Sequence, residues 1–332
     1  MKKTLILCFI HGFKGGDDTF GEGYEFTEHL RSLVEQALPK LNVQVLVYPK
    51  YETRGDLGNC VSRFRDWLQE KVIDIEVEAG TSSPTVDPSV RTILIGHSMG
   101  GIVAAETVIG LTSDKPIYSE DGVEKSAQTP TSFNSLMFPY VQGVLAFDTP
   151  YLGISPGVGW TWATSHLEFV GCLAKGGELQ KRVQYMTKVH QELDVGFANL
   201  YTRLGRGAAA KDVSVVGTVL GKDRTFCNLP KRGDAGVWKP AVNDKAEEET
   251  QAHMAMFERK NNPGYEALAR DATDLIATWT RNAWYESSVE DAPALKQSAE
   301  DGSSRREDGS SRQGERRPAE EKVLGQEENP WA

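Results

Sequence analysis

Residues 91–104 read RTILIGHSMGGIVA, an apolar run that passes directly into a G-x-S-x-G pattern at Gly96, Ser98 and Gly100. The apolar and β-branched residues before the pattern predict a buried strand, and Ile102-Val103-Ala104 after it begins a helical pattern. A strand that turns sharply into a helix leaves no room for a β-carbon at either glycine position. The sequence therefore predicts a tight strand-to-helix turn that raises the Ser98 hydroxyl above the carboxyl edge of a sheet.

A serine in this turn is suited to act as a nucleophile, because its hydroxyl is exposed beside the start of a helix. The Met99 N–H at the helix start would face a developing oxyanion and gain from the helix dipole. Residues 153–157, GISPG, match the same pattern at Ser155. That match is rejected, because Pro156 has no N–H to offer and no helical pattern follows it.

The loop after the first predicted strand, residues 11–18 (HGFKGGDD), is the candidate for the second oxyanion donor. Gly12 would let the backbone approach the nucleophile, and the Phe13 N–H is the expected donor. A phosphate-binding loop is the competing interpretation of these glycines. The loop contains no G-x-G-x-x-G, and no GK[ST] P-loop occurs in the chain.

His253 is the predicted general base. Of six histidines, it is the one that follows the last predicted core strand, where the chain order Ser…acid…His places the base. The acid stays open between two aspartates. Asp223 lies in the loop after the last predicted strand and is favoured, and Asp148 ends the strand before it. Asp234 and Asp244 are the remaining alternatives.

Short apolar runs alternate with helical patterns along the chain, which predicts an α/β fold with a doubly wound, mostly parallel sheet. The predicted strands are Thr4–His11, Val43–Tyr48, Thr92–Gly96, Gly143–Phe147 and Val213–Val219, and the predicted helices are Phe26–Leu38, Arg54–Glu76, Ile102–Ile109 and Tyr265 to about Trp284.

Two regions depart from this alternation. Residues 160–204 read as helices and predict a small helical cap insertion over a pocket, at about 155–208 within a domain of residues 1–284. Residues 285–332 contain a repeated Glu-Asp-Gly-Ser-Ser-Arg-like unit among charged residues, and this composition predicts a disordered low-complexity tail.

The composition excludes several classes of protein. A formal charge of -10 over 332 residues leaves no basic surplus for nucleic acid. Four scattered cysteines form no CxxC pair, so neither a structural metal nor a disulfide framework is expected. Without a run long enough for a membrane span or a cleavable leader, the prediction is a cytoplasmic protein that needs no cofactor.

The chain resembles the serine-esterase, lipase-like branch of the α/β-hydrolase superfamily, in a form seen in fungal proteins. The resemblance reaches to about Trp284 and rests on FIHGF at 9–13, GHSMGG at 96–101, DTPYLG at 148–153 and AHM at 252–254. It implies the α/β-hydrolase fold, with Ser98 as nucleophile, His253 as base, and Phe13 and Met99 as oxyanion donors. The chain departs from the family at Tyr151, where histidine is usual, and at Asp148, where a small residue is common.

These observations predict a serine hydrolase that cleaves carboxylic esters, including lipid esters, through an acyl-enzyme on Ser98. A thioesterase or amidase with the same residues is one alternative, and a catalytically silent fold used for protein interaction is another. Trp160 and Trp162 in the predicted cap suggest peripheral contact with membrane lipid, although packing of the cap onto the core explains them as well.

Overall fold

The computed structural model describes residues 2–12, 15–16, 18–51, 57–82, 86–112, 140–156, 158, 176–205, 224–230 and 237–289. Several predicted features lie outside these residues: the strand Val213–Val219, the cap residues Trp160 and Trp162, and the tail from residue 290 onward. Those features stay predictions.

A six-stranded parallel sheet, in the order β2-β1-β3-β4-β5-β6, forms the centre of the unit that spans residues 1–291. The sequence predicted the first four strands within three residues at each end. The strands are β1 Lys3–Ile10, β2 Leu41–Val47, β3 Val90–His97, β4 Val141–Phe147, β5 Gly196–Leu204 and β6 Trp238–Asn243.

Helices connect the strands, and each long one follows a strand of the sheet. A short 3₁₀ turn at Glu22–Tyr24 precedes the first α-helix. The α-helices are α1 Glu25–Ala37, α2 Leu57–Glu78, α3 Met99–Thr112, α4 Gly176–Glu192, α5 Glu249–Met254, α6 Tyr265–Thr280 and α7 Ala283–Glu286. No helix in the described part of the chain is long and apolar enough to span a membrane.

The sheet separates two apolar cores, because successive side chains of a strand point to opposite faces. In β1, Ile6, Cys8 and Ile10 belong to the core beneath α2, α3 and α4. Leu5, Leu7 and Phe9 belong to the other core, beneath α1 and α6. Every residue of β1 is buried. The near-continuous apolar strands seen in the sequence follow from this burial on both faces.

The prediction of helix across residues 160–204 is wrong over Gly196–Leu204, which forms β5 in the interior of the sheet. Part of the proposed cap insertion therefore belongs to the central sheet, and within the described residues α4 precedes β5 in the chain. β6 was missed. It lies at the edge of the sheet and contains Pro240, and most of its residues are partly exposed, so it lacks the apolar run of a central strand.

The folded part continues past the predicted boundary at residues 284 and 285. Tyr285 is buried, and the Asn282 side chain caps α7 by accepting from the N–H groups of Trp284 and Tyr285. The Ser288 hydroxyl accepts from the Lys3 N–H at 2.9 Å and donates to the Lys40 carbonyl at 2.6 Å. The chain after α6 is thereby attached to the start of β1.

Candidate active site

Ser98 lies between the last residue of β3 and the first residue of α3, in a conformation that few residues other than glycine adopt. Its φ is 55°, in the left-handed region. The Ser98 N–H donates to the Phe147 carbonyl at 3.0 Å, which fixes the turn to the end of β4. The side chain is almost covered, with 5% of the residue exposed. A strained serine held in this way is typical of a functional turn.

The glycines of the turn are required by close contacts. A β-carbon at Gly96 would overlap the backbone of Gly101, and one at Gly100 would overlap the carbonyl of Ile10. At Gly12, a β-carbon would lie 2.8 Å from the Ser98 Cβ and 3.3 Å from its Oγ. The loop after β1 therefore lies directly against the Ser98 side chain, as expected for a loop that supplies an oxyanion donor.

The two predicted oxyanion donors differ in what the structure describes. Met99 is the first residue of α3, where an N–H has no acceptor within its own helix. Because Met99 directly follows Ser98, its N–H is suited to donate a hydrogen bond to a developing oxyanion. Phe13 lies outside the described residues, although its neighbour Gly12 is placed against Ser98.

His253 and Asp148 form a buried pair at the same edge of the sheet. The His253 Nδ1 lies 2.8 Å from the Asp148 Oδ2, and the two side chains are 2% and 0% exposed. An ionised carboxylate only accepts, so in this pair Nδ1 carries the proton and Nε2 keeps its lone pair. An imidazole in that tautomer is ready to take a proton from a hydroxyl.

Ser98 and this pair are connected through their neighbours in the chain. The His97 ring packs against the His253 ring, with centroids 4.5 Å apart, and its Nε2 donates to the His253 carbonyl at 3.2 Å. Phe147, the residue before Asp148, accepts from the Ser98 N–H. The ends of β3 and β4 and helix α5 thus bring the three residues to one place.

The environment of His97 disfavours the charged form of its imidazole. Burial, followed by the neighbouring His253, lowers the pKa of its imidazole well below the usual value. In the sequence, His97 is only the residue before Ser98 in the G-x-S-x-G pattern. The structure shows that its side chain also contacts the candidate base.

The Asp148 carboxylate accepts four hydrogen bonds from described residues, and a carboxylate has about four acceptor sites. The Thr202 N–H donates to Oδ1 at 2.9 Å, and the Thr202 hydroxyl donates to Oδ2. The Cys227 thiol donates to Oδ1 at 3.4 Å, and His253 provides the fourth bond. Asp148 also has a positive φ of 47°, so its backbone turns immediately after β4.

The other candidate acids are placed differently. Asp223, the favoured acid in the sequence, and Asp234 lie outside the described residues. Asp244 follows β6, is exposed, and lies against Gly205. The position beside Nδ1 of His253, where an orienting carboxylate acts, is occupied by Asp148.

Thr202, Phe226 and Cys227 were missed in the sequence, and the reason is specific in each case. Thr202 lies in β5, which was interpreted as helix. Phe226 and Cys227 lie in the chain between β5 and β6, where the sequence predicted no element after residue 223, and they belong to no recognisable motif. The Phe226 ring stacks on the His253 ring, with a centroid distance of 3.7 Å and an interplanar angle of 13°.

The loop after Asp148 is fixed to the fold by buried hydrogen bonds. The Asn199 side chain pairs with both backbone groups of Thr149, at 3.1 Å and 2.9 Å. The Tyr151 hydroxyl donates to the Gly101 carbonyl at 2.8 Å. Tyr151 thus attaches this loop to α3, and burial raises the pKa of its phenol.

No group of three or more His, Cys, Asp or Glu side chains among the described residues is arranged to hold a metal ion.

Comparisons with known proteins give similar structures but no sequence relative. No protein-family model matches the chain, and no curated protein sequence matches it significantly. A lipase of Bacillus licheniformis, BlEst2, is similar with a TM-score of 0.43 and 15% identity, over 81% of this chain and 92% of that one.

Two further solved structures are similar over smaller shares of their own chains. Phospholipase PlaB of Legionella pneumophila has a TM-score of 0.42 and 11% identity, and the match covers 83% of this chain and 62% of PlaB. A cutinase-like protein of Cryptococcus sp. has a TM-score of 0.26 and 15% identity, over 45% of this chain and 55% of that one.

The fold follows from the chain's own topology. A parallel sheet with helices on both faces carries a strained serine between β3 and α3, an aspartate after β4 and a histidine after β6. This arrangement, with the chain order Ser…Asp…His, is the α/β-hydrolase fold.

Proposed function

We propose that the protein is a serine hydrolase that cleaves carboxylic esters, including lipid esters, through an acyl-enzyme on Ser98. The observation that carries the proposal is the buried hydrogen bond of 2.8 Å between the His253 Nδ1 and the Asp148 Oδ2, in a fold in which the strained Ser98 donates its N–H to Phe147, the residue before Asp148. A nucleophile, a base and an orienting acid are the groups that acyl transfer requires.

In the first step, the Ser98 Oγ attacks the acyl carbon while the His253 Nε2 takes the hydroxyl proton. Asp148 remains ionised and stabilises the imidazolium through Nδ1. The oxyanion of the tetrahedral intermediate accepts from the N–H groups of Met99 and Phe13. When the intermediate collapses, the bond to the alcohol breaks, and the alcohol leaves with the proton from Nε2.

In the second step, water attacks the acyl-enzyme while Nε2 of His253 again accepts a proton. The second tetrahedral intermediate releases the carboxylic acid, and Ser98 regains its hydrogen from the imidazolium. No step requires a metal ion or an organic cofactor.

The direct test is covalent labelling with a fluorophosphonate probe, combined with turnover of p-nitrophenyl esters of increasing chain length. The Ser98→Ala protein is expected to lose labelling and to lose turnover by on the order of 10⁵-fold or more. Ser155→Ala is the matched control, because Ser155 lies in the second G-x-S-x-G sequence. Unchanged labelling of Ser98→Ala would contradict the proposal.

The bond that is cleaved is tested with a matched substrate panel, in which one acyl group is presented as an ester, a thioester and an amide. The ester is expected to give the highest kcat/KM. A higher kcat/KM on the thioester or the amide would contradict the assignment as an ester hydrolase and show instead a thioesterase or an amidase that uses the same residues.

A further inference from the structure

The short segment Arg224–Cys227 contacts both members of the His253–Asp148 pair. Phe226 stacks on the imidazole at 3.7 Å, and Cys227 donates to the carboxylate at 3.4 Å. We propose that Phe226 and Cys227 are positioning residues of the active site, the first supporting the charged imidazolium and the second holding the carboxylate that orients it. This inference rests on the proposed function of the pair.

Phe226 presents the face of its ring to His253. The planes are within 13° of parallel, and Phe226 is fully buried. The face of an aromatic ring carries partial negative charge, so it attracts a cation placed over it more strongly than a neutral group. The stacking therefore favours the imidazolium that forms as Ser98 loses its proton, besides fixing the plane of the ring.

Cys227 acts on the other member of the pair. Burial, followed by the charge of Asp148, raises the pKa of its thiol well above the usual value, so Cys227 remains a donor. Its hydrogen bond takes up part of the charge on the Asp148 Oδ1. A carboxylate that shares its charge with an additional donor holds the imidazolium less strongly.

The segment is held rigidly enough to fix both contacts. Arg224 forms a two-pronged ion pair with Glu249 of α5, the helix that carries His253, at 2.9 Å and 3.0 Å. The Phe226 carbonyl accepts from the Ser155 N–H at 2.8 Å, and Ile154 and Cys227 form an antiparallel bridge. The segment thus connects α5 to the chain that follows Asp148.

Three titratable groups of the described residues contact His253 or its acid: Asp148 at the end of β4, His97 at the end of β3 and Cys227. Burial lowers the pKa of His97 and raises that of Cys227, so the surroundings favour the uncharged form of both groups, and the Asp148 carboxyl is the group that pairs with the imidazole. The Arg224–Glu249 ion pair lies on the same segment and on α5, the helix that carries His253. The two substitutions below leave all of these groups except Cys227 in place.

Phe226→Leu keeps an apolar side chain but removes the ring. The titration midpoint of the His253 ring, followed by NMR in the protein without substrate, is expected to move to lower pH by about half a unit. The acid limb of kcat/KM should move in the same direction, and kcat should fall several-fold with KM little changed. Phe197→Leu, a buried aromatic that contacts Tyr151, is the control and should leave the midpoint in place.

Cys227→Ala removes the thiol donor, and the midpoint is expected to move by about half a unit in the opposite direction, to higher pH. Cys227→Ser restores a donor and should bring it back to the wild-type value or below it. Shifts of opposite sign support the proposal. Shifts of the same sign, or none, would overturn it, because general loosening of the site has no reason to distinguish the two residues.

The NMR titration needs no substrate, so it separates this inference from the proposed function. If the wild-type protein resists the fluorophosphonate probe but the two variants show the expected shifts, the proposed esterase activity is contradicted and the effect of Phe226 and Cys227 on His253 is supported. If the wild-type protein is labelled but the variants do not show the shifts, the positioning roles of Phe226 and Cys227 are contradicted and the proposed hydrolase activity is supported. His253→Gln identifies the His253 signal among the six histidines.

Discussion

Two segments of this protein carry the same G-x-S-x-G sequence, and only one of them has the geometry of a nucleophile. Ser98 has a positive φ between β3 and α3, and its turn is fixed to the end of β4. Ser155 lies beside a short antiparallel bridge between Ile154 and Cys227, and Pro156 follows it. The strand before the serine and the helix after it, rather than the pattern itself, produce the site.

Ser155 nevertheless contributes to the region around Ser98. Its N–H donates to the carbonyl of Phe226, the residue that stacks on His253. Residues 153–157 thus match the motif without its geometry, but they hold the residue that packs against the candidate base. This difference between the two serines can be tested by substitutions that act at the Ser98 site alone.

After Ser98→Ala, the largest effect is expected for Asp148→Asn. The amide can donate to Nδ1, which favours the wrong tautomer of His253, so kcat should fall by on the order of 10⁴-fold. Esterase kinetics on purified protein measure it. Asp244→Asn, at an exposed aspartate after β6, is the control and should have wild-type kinetics. Loss of activity in Asp223→Asn together with full activity in Asp148→Asn would restore the acid first favoured in the sequence.

The next effect concerns the packing of the turn. A β-carbon at Gly100 would overlap the Ile10 carbonyl, so Gly100→Ala should lower the free energy of unfolding by more than about 3 kcal/mol. Gly110→Ala in the same helix has open space and should raise it by about 0.5–1 kcal/mol. Chemical denaturation measures both. Equal effects would show that the turn tolerates a side chain at Gly100. Tight packing would then no longer distinguish the Ser98 turn from residues 153–157.

The smallest effect concerns His97, which occupies the place before Ser98 that Ile154 occupies before Ser155. Because its pKa is lowered in the folded protein, the unfolded chain binds a proton more readily below about pH 6.5. The contribution of His97 therefore lowers the free energy of unfolding as the pH falls, by up to about 1.4 kcal/mol for each pH unit. Above that pH its contribution is constant.

Denaturation curves at several pH values measure this dependence. His97→Gln keeps a donor for the His253 carbonyl and removes the titration, so its stability should decrease less steeply between pH 6.5 and 5. An unchanged slope would show that other groups cause the dependence and that His97 adds nothing to the difference between the two serines.

The sequence predicted the central part of the fold because those residues are buried on both faces of the sheet. β1, β3 and β4 are buried along almost all of their length and are rich in apolar residues, and α3 is buried along most of its length. β5 could not be distinguished from helix, because polar residues such as Asn199 and Thr202 interrupt its apolar pattern. In the structure these two residues are buried and bind Thr149 and Asp148.

The sequence proposed the candidate site from local signals. Ser98 is marked by glycines that local geometry requires, and His253 was proposed from the small number of histidines and their order. Asp148 and Asp223 both follow a predicted strand, so the sequence could not choose between them. Only the contact of 2.8 Å with His253 distinguishes Asp148, and that contact joins residues 105 positions apart.

The amino-acid order alone determined the apolar strands, the sharp turn at Ser98 and the α/β class, because these depend on neighbouring residues and on backbone sterics. Tertiary structure decided which carboxylate meets the imidazole, which rings pack against it and which donors fill the oxygens of Asp148. Those contacts depend on how β4, β5, α5 and the segment Arg224–Cys227 come together. No local pattern in the chain records that arrangement.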